Sequence, residues 1–338
     1  MTKVSINLLN YSTPWEEIKK CLEHALSQDF DDFEVYYMEN ASHGNDNHVN
    51  EVKAEFGSNP RLKVIDNKGN LGYADGHNKF FKNINSELLM VLNPDALLEP
   101  TFVSEIIKVF ENPLVGAATG KMLKPGKTEQ GKEILDGTGI IISKSRRGKE
   151  RGQLEIDEGQ YDSLRDIFGV SGTAAVFRKT ALESVKILNH EYYDPDFFAY
   201  WEDLDLSWRM RLQGWQIQYM PSARVYHPRA VGASPGGLKR FVTFVKHHRS
   251  FSLNIRRWNW RNHLFAIIKN DFGWNFWKAT PLIFIRELSM AIFITVFSFS
   301  TWSVLPEFFK LLPKMFVKRR IIQSRRKVSS KEMEKWFV

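Results

Sequence analysis

The sequence predicts an α/β fold, a Rossmann-like, mostly parallel sheet with helices on both faces, followed by a basic helical region. Three observations carry this expectation. Over the first 110 residues, short apolar runs with β-branched members alternate with segments of helical spacing, the pattern of βαβ units. The 25 Phe, 10 Trp and 10 Tyr among 338 residues supply a large core and exclude disorder as the main state. The charge is also split: residues 1–205 hold 23 Lys+Arg against 34 Asp+Glu, whereas residues 206–338 hold 24 against 5. The overall +8 is therefore an acidic half of net −11 joined to a basic half of net +19. A surface so basic suits a polyanionic partner: nucleic acid, anionic lipid or a phosphorylated substrate.

The elements follow in order. Residues 4–9 read as a strand, and Pro14 opens a helix with Ile18, Cys21, Leu22, Ala25 and Leu26 on one face. Strands are expected at 33–38, 62–65 and 88–92, and helices from the turn-rich segment 67–76 and over 102–110. Residues 115–180 read as antiparallel or irregular, with a mobile surface loop at 144–151 and a strand at 173–177. A helix over 205–212 stops at Gly214, strand pieces follow at 216–220 and 225–226, and 232–237 reads as a linker. Two regions are expected, 1–235 for catalysis and 236–338 helical and membrane-associated. Cys21 is the only cysteine, which excludes a disulfide scaffold and a Cys-based zinc site. Met1-Thr2-Lys3 runs straight into a strand-like segment without a signal-peptide core, so a cytoplasmic setting is expected.

Five motifs can carry chemistry. Asn93-Pro94-Asp95 ends the strand at 88–92, where a carboxylate can hold a divalent ion that bridges a diphosphate; the same tripeptide also makes a turn. Trp201-Glu202-Asp203-Leu204-Asp205 places carboxylates among aromatics, which suits a general base; it also suits an acidic helix start. His227 follows strand-like Val225-Tyr226 and is a metal ligand or a structural histidine. Residues 67–78 offer Gly69, Gly72 and Gly76 ahead of a helix, an anion cradle or an ordinary helix start, and they lack the G-x-G-x-x-G spacing. Glu39 and Asn40 of Met38-Glu39-Asn40-Ala41-Ser42 can read a nucleobase edge or form a capped turn.

Their order along the chain is more specific than any one of them. Asn10-Tyr11-Ser12, Glu39-Asn40, Asn70-Leu71-Gly72-Tyr73, Leu92-Asn93-Pro94-Asp95, the Trp201–Asp205 cluster running to Arg209, and His227 together resemble the inverting glycosyltransferases of family 2. The likeness covers residues 4 to about 230 and is nearest the rhamnosyltransferase-like branch of bacterial surface-polysaccharide synthesis. Arg261-Asn262 and Leu312-Pro313-Lys314-Met315 are similar to that branch too. The resemblance implies a GT-A fold and a Mg²⁺ or Mn²⁺ ion on Asp95 and His227. It implies a nucleotide-sugar site at Asn10, Tyr11, Glu39, Asn40, Asn70, Gly72, Tyr73, Asn78, Asn93 and Asp95. It further implies Asp203 as general base with Glu202 beside it, and Ser171, Gly172, Thr173 and Trp201 at the acceptor. The implied acceptor is a lipid-linked sugar or growing glycan at the cytoplasmic face of the bacterial inner membrane, which moves the expected polyanion from nucleic acid to lipid headgroups.

The basic half then has a place. Residues 288–305 are 18 without a charge, at the lower edge of the roughly 17–25 a membrane span needs, but rich in Ser and Thr. An interfacial helix, a core hairpin and a span are all open. Trp258, Trp260, Trp274, Trp277 and Trp302 suit a membrane interface or a helical core. A cationic tail follows from Lys310 through Lys314, Lys318, Arg319, Arg320, Arg325 and Arg326 to Lys327. Two other classes compete. A nucleic-acid-binding protein would use the basic half but lacks a known signature. A nucleotidyltransferase would need glycine and lysine near the first strand, and residues 7–15 have neither.

Overall fold

Strand β1 (Val4–Asn10) is buried at every residue because strands flank it on both sides and helices cover both faces. The computed structural model describes residues 2–41, 47–188, 191–228 and 238–338, with side chains described outside 238–243. Ser42, the 232–237 stretch and the expected boundary at 235 lie outside the described residues.

β1 pairs in parallel with β2 (Phe33–Glu39) and β4 (Leu88–Leu92), and β2 with β3 (Leu62–Asp66). The connections carry α1 (Trp15–Leu26), α2 (Val49–Phe56) and α3 (Gly72–Asn83), the expected βαβ alternation. Successive side chains on a strand point to opposite faces, and β4 obeys this. Leu88, Met90 and Leu92 join Ile18, Cys21 and Leu22 of α1 in one core. Leu89 and Val91 join Phe80 and Phe81 of α3 in the other.

Beyond β4 the sheet is mixed. Its order is β3-β2-β1-β4-β10-β6-β11-β5, with β5 (Leu97–Leu98), β6 (Val115–Lys127), β10 (Ala174–Arg178) and β11 (Gln216–Tyr226). β10 is antiparallel to both β4 and β6, β11 is parallel to β6, and β7 (Glu133–Gly137) runs antiparallel along β6. The two strand pieces expected at 216–226 are one strand, bulged between Met220 and Arg224. The helix expected at 102–110 is α4 (Phe102–Ile106) continued by a 3-10 turn. Then come α5 (Lys179–Val185) and α6 (Glu202–Leu212), which ends before Gly214 at φ +83°.

Residues 144–151 are not a free loop. They form part of a hairpin, β8 (Ile140–Ile142) with β9 (Gly148–Glu150), and Arg146 at its turn is buried. Its Nε donates to Asp271 Oδ2 at 2.8 Å and its guanidinium lies 3.6 Å from the Phe337 ring centroid. A charge-rich segment reads as solvated unless its partners, here more than 100 residues away, are known.

The helices α7 (Leu238–Ser250), α8 (Leu253–Asn270), α9 (Gly273–Phe297), α10 (Leu305–Arg325) and α11 (Ser330–Glu334) follow. They are not an appendage. Phe265, Ala266, Phe272, Met315, Ile322 and Phe337 share one core with Phe168, Leu204 and Trp208. Buried ions stitch the same seam. Lys269 Nζ meets Asp194 Oδ2 at 2.5 Å and Asp205 Oδ1 at 2.9 Å, and Lys318 meets Asp194, Asp196 and Glu191. Lys318 of the expected cationic tail is therefore a structural ion, fully buried.

The charge-free stretch 288–305 is not one helix. The apolar helix is α9, which starts 15 residues earlier and stops at Ser298, where Arg256 Nη1 donates to Ser298 Oγ at 2.6 Å. Arg286 and Glu287 interrupt the apolar run in sequence. They pair with each other and with buried His263, Glu287 Oε1 lying 3.1 Å from His263 Nδ1.

Candidate active site

The four parallel strands end on one edge of the sheet, where an open α/β sheet takes its ligand. Asn10, Glu39 and Asn93 stand at or just past the ends of β1, β2 and β4. Two of them face inward. Glu39 is fully buried: its carboxylate accepts from Asn10 Nδ2 (3.0 Å to each oxygen), Tyr37 Oη (2.5 Å), Ala41 N (2.9 Å) and His48 N (3.0 Å). With so many internal donors, Glu39 organises the strand ends rather than reading a base through a free carboxylate. Asn10 is likewise buried, while Tyr11 beside it is 57% exposed.

Asn40 ties this edge to the glycine loop. Its Nδ2 donates to Gly72 O at 3.0 Å and its Oδ1 accepts from Asn67 Nδ2 at 3.1 Å. Asn70 Oδ1 accepts from Gly72 N at 2.8 Å, which folds the loop into α3. Gly72 has φ +75°, and a Cβ there would meet the Phe198 ring at 2.7 Å. Asn78 lies behind the loop and exchanges two bonds with the Tyr193 backbone, a support for α3 rather than a ligand group.

Tyr73 connects the loop to the acceptor side. Its hydroxyl donates to Gly172 O at 2.8 Å, and Gly172 N donates to Asp203 Oδ2 at 3.2 Å. Ser171 Oγ and Thr173 Oγ1 are 3.3 Å apart, and Thr173 O accepts from Asn93 N at 2.9 Å. Asp203, Gly172, Tyr73 and Asn93 thus meet in one place although they come from four segments. Glu202 is buried beside them, and desolvation, then the neighbouring Asp203 carboxylate, pushes its carboxyl well above the ordinary value. Its Oε2 has no hydrogen-bond partner among the described residues. Trp201 Nε1 donates to Asn259 Oδ1 at 3.3 Å.

Asp95 and His227 come together through the sheet. β11 pairs with β5, matching Tyr226 with Leu97, and this sets His227 Nε2 3.3 Å from Asp95 Oδ1. His227 Nδ1 lies 2.9 Å from Asp136 Oδ2 on β7. Burial alone would lower the His227 pKa, but the Asp136 and Asp95 carboxylates outweigh it and raise it. The donor set fits a divalent ion: Asp95 and the Nε2 face each other, and a carboxylate on the other nitrogen orients the ring as metal-binding histidines require. Among the described residues no group of three or more His, Cys, Asp or Glu could hold a metal unaided, so diphosphate and water would complete the shell. Asp136 was not anticipated. Its only signal was an acid inside the apolar strand Ile134-Leu135-Asp136.

The family model for glycosyl transferase family 2 matches residues 5–186, more than half of the chain, and the chain belongs to that family. A poly-beta-1,6-N-acetyl-D-glucosamine synthase of Staphylococcus epidermidis is 26% identical over 211 residues, covering 62% of this chain and 46% of the synthase. The O-antigen biosynthesis protein RfbC of Myxococcus xanthus is 26% identical over 170 residues, covering 50% of this chain and 13% of RfbC. The chain thus spans less than half the length of these two relatives. Among solved structures, GalNAc-T7 with UDP, GalNAc and Mn²⁺ superposes with a TM-score of 0.56 at 12% identity, over 80% of this chain and 48% of that one. The fold is of the GT-A type, with a helical C-terminal region added.

Proposed function

We propose that this chain is an inverting glycosyltransferase that moves a sugar from a nucleoside-diphosphate donor to a hydroxyl of a glycan or lipid-linked acceptor. One observation carries the reading: Asp203, the acceptor loop at Gly172 and the donor loop at Tyr73 are joined by two successive hydrogen bonds of 3.2 and 2.8 Å.

Asp95 and His227 would hold the divalent ion, Mg²⁺ or Mn²⁺, which supplies charge neutralisation for the departing diphosphate. The Gly72–Tyr73 segment opens α3, and its first N–H groups are used internally, by Asn70 Oδ1 and Phe198 O, so that it holds the donor loop against the 197–201 turn. Asp203 is half-buried, anchored by Gly172 N and by Leu204 N at 2.7 Å. It takes the proton of the acceptor hydroxyl as that oxygen bonds to the anomeric carbon. The bond from that carbon to the diphosphate oxygen breaks on the opposite face, so one displacement inverts the centre. Burial and the neighbouring Asp203 carboxylate push the Glu202 carboxyl up, which leaves the more exposed Asp203 as the better base. The motifs at Asn93-Pro94-Asp95 and Arg261-Asn262, which resemble the rhamnosyltransferase-like branch, make deoxythymidine-diphosphate-rhamnose the donor to try first.

We also propose peripheral attachment to the cytoplasmic face of a bacterial membrane. Trp274, Trp277, Phe284, Ile285, Leu288 and Ile292 are all exposed along one face of α9. Arg320, Arg325, Arg326 and Lys327 stand exposed near the end of α10, and each cation near an anionic surface is worth about 1 kcal/mol.

The test is a thermal-shift panel of nucleotide sugars with Mg²⁺ or Mn²⁺, then transfer assays with the stabilising donor. Asp203→Asn is expected to keep the donor-induced shift and lose transfer by at least about 100-fold. No shift with any donor, or full turnover by that variant, rejects the reading.

A further inference from the structure

Residues 197–201 place three bulky side chains in left-handed backbone: Phe198 at φ 64°, Tyr200 at 70° and Trp201 at 76°. Such residues hold this conformation only where their surroundings impose it. Here two sets of bonds do so from opposite sides. From the donor side, the N–H groups of Tyr73 and Ala74 donate to Phe198 O at 2.9 and 3.1 Å. From the C-terminal side, Asn262 Nδ2 reaches the carbonyls of Phe197, Ala199 and Tyr200 at 3.0, 3.1 and 2.9 Å.

The amide orientation of Asn262 is chemically determined. Arg261 Nε donates to Asn262 Oδ1 at 3.0 Å, which leaves the nitrogen for the carbonyls. Arg261 Nη2 itself donates to Asp196 O at 2.6 Å. Asn262 is fully buried. A buried carboxamide spread over three carbonyls of one strained turn does more than fill space, because an apolar side chain there would remove the donor from all three.

The turn leads directly into α6. Trp201 is its last residue, and Glu202 and Asp203 occupy the first turn of the helix. We propose that Asn262 is a positioning residue for the general base, and that the turn it clamps links the donor loop to Asp203. The inference rests on Asp203 being that base. It assigns a catalytic duty to the helical region, which sequence reading associates with a membrane.

Two measurements test it. The first needs no sugar transfer. In protein labelled with 5-fluorotryptophan, the Trp201 ¹⁹F resonance is identified by Trp201→Phe. Asn262→Ala is expected to shift or split that resonance while most others and the thermal midpoint hold; an unmoved Trp201 resonance overturns the clamp whatever the protein transfers. The second is a double-mutant cycle on the transfer rate with the donor found by thermal shift. Asn262→Ala is expected to lower kcat about 100-fold with donor KM unchanged, and to add nothing on the Asp203→Asn background. Equal losses on both backgrounds overturn the link to Asp203. Should Asn262→Ala not fold, Asn262→Ser is read by the same signals, and wild-type resonance with wild-type rate overturns the proposal.

Discussion

His227 is held between two carboxylates, with Nε2 3.3 Å from Asp95 and Nδ1 2.9 Å from Asp136. The arrangement gives each acid a different task. Asp95, just past the end of β4, is partly exposed, whereas Asp136 is fully buried behind the ring.

The first prediction follows from that division. Asp95→Ala should abolish the Mn²⁺-dependent part of binding of the nucleotide sugar found by thermal shift, measured by calorimetry. Asp136→Asn should weaken it by about 10–100-fold, as loss of a ring-orienting partner does, without changing metal-free binding of the same donor. Equal affinities for Asp136→Asn and wild type would show that the ring needs no orientation.

The second concerns the buried ions. Burial alone would raise the Asp194 carboxyl, but Lys269 and Lys318 outweigh it and hold it below the ordinary value. A depressed carboxylate adds stability that is complete above its unfolded value, near pH 4, and lost as pH falls toward the folded value. Lys318→Met removes one cation, so Asp194 titrates higher. Acid unfolding should then begin at a higher pH, and stability at pH 7 should fall by about 3 kcal/mol, since one partner of a buried network is left behind. Denaturant titrations at pH 7 and pH 4 check both.

The third uses Gly72. An alanine there would carry a left-handed φ and push its Cβ into the Phe198 ring and carbonyl, the point where the donor loop meets the 197–201 turn. The backbone conformation alone costs about 1–2 kcal/mol. Gly72→Ala should lower both donor affinity and kcat, because the displaced Phe198 carries the strain to α6. A variant with weaker donor binding but unchanged kcat would separate the loop from the turn.

What could be read in the sequence was what is local. The βαβ units show because α1 and β1 are each defined by their own periodicity, and Asn93, Asp95 and Asp203 show because they end or begin an element. Asp136 does not, and Asn262 shows only as part of the Arg261-Asn262 pair, without its role. Asp136 meets His227 across 91 residues, and Asn262 meets its carbonyls across 62 to 65. The charge split was visible but partly misassigned. Lys269, Lys318 and Arg261 belong to the basic half, yet they are buried against acids or carbonyls of the acidic half or, for Arg261, also against Glu307. Part of the imbalance is a seam between two halves of one fold, so fewer cations are left for an outside partner than the count suggests.

The last prediction concerns those that remain. α9 is 25 residues long with a mean hydropathy of 1.7 over its most apolar window, and only 17% of that window is buried. A core helix would be mostly covered, and the exposed residues at 274, 277, 284, 285, 288, 292 and 296 fall on one side at helical spacing. The other side is occupied: Ile283 packs against Ile267 of α8, and Arg286 and Glu287 meet His263. A helix held to the protein along one side and apolar along the other suits insertion parallel to a membrane surface better than crossing it. Trp258, by contrast, packs on Phe198 of the 197–201 turn, ring centroids 4.7 Å apart, and Trp260 packs on Trp302, so those rings are engaged within the protein. Phe284→Lys with Ile292→Lys should therefore abolish flotation with anionic liposomes while leaving the thermal midpoint within a few degrees and transfer to a soluble acceptor intact. Charge reversal of Arg320 and Lys327 to Glu should weaken flotation in proportion to salt sensitivity, since only the electrostatic part is lost. Undiminished flotation of the double lysine variant would mean that the α9 face is covered by something other than lipid.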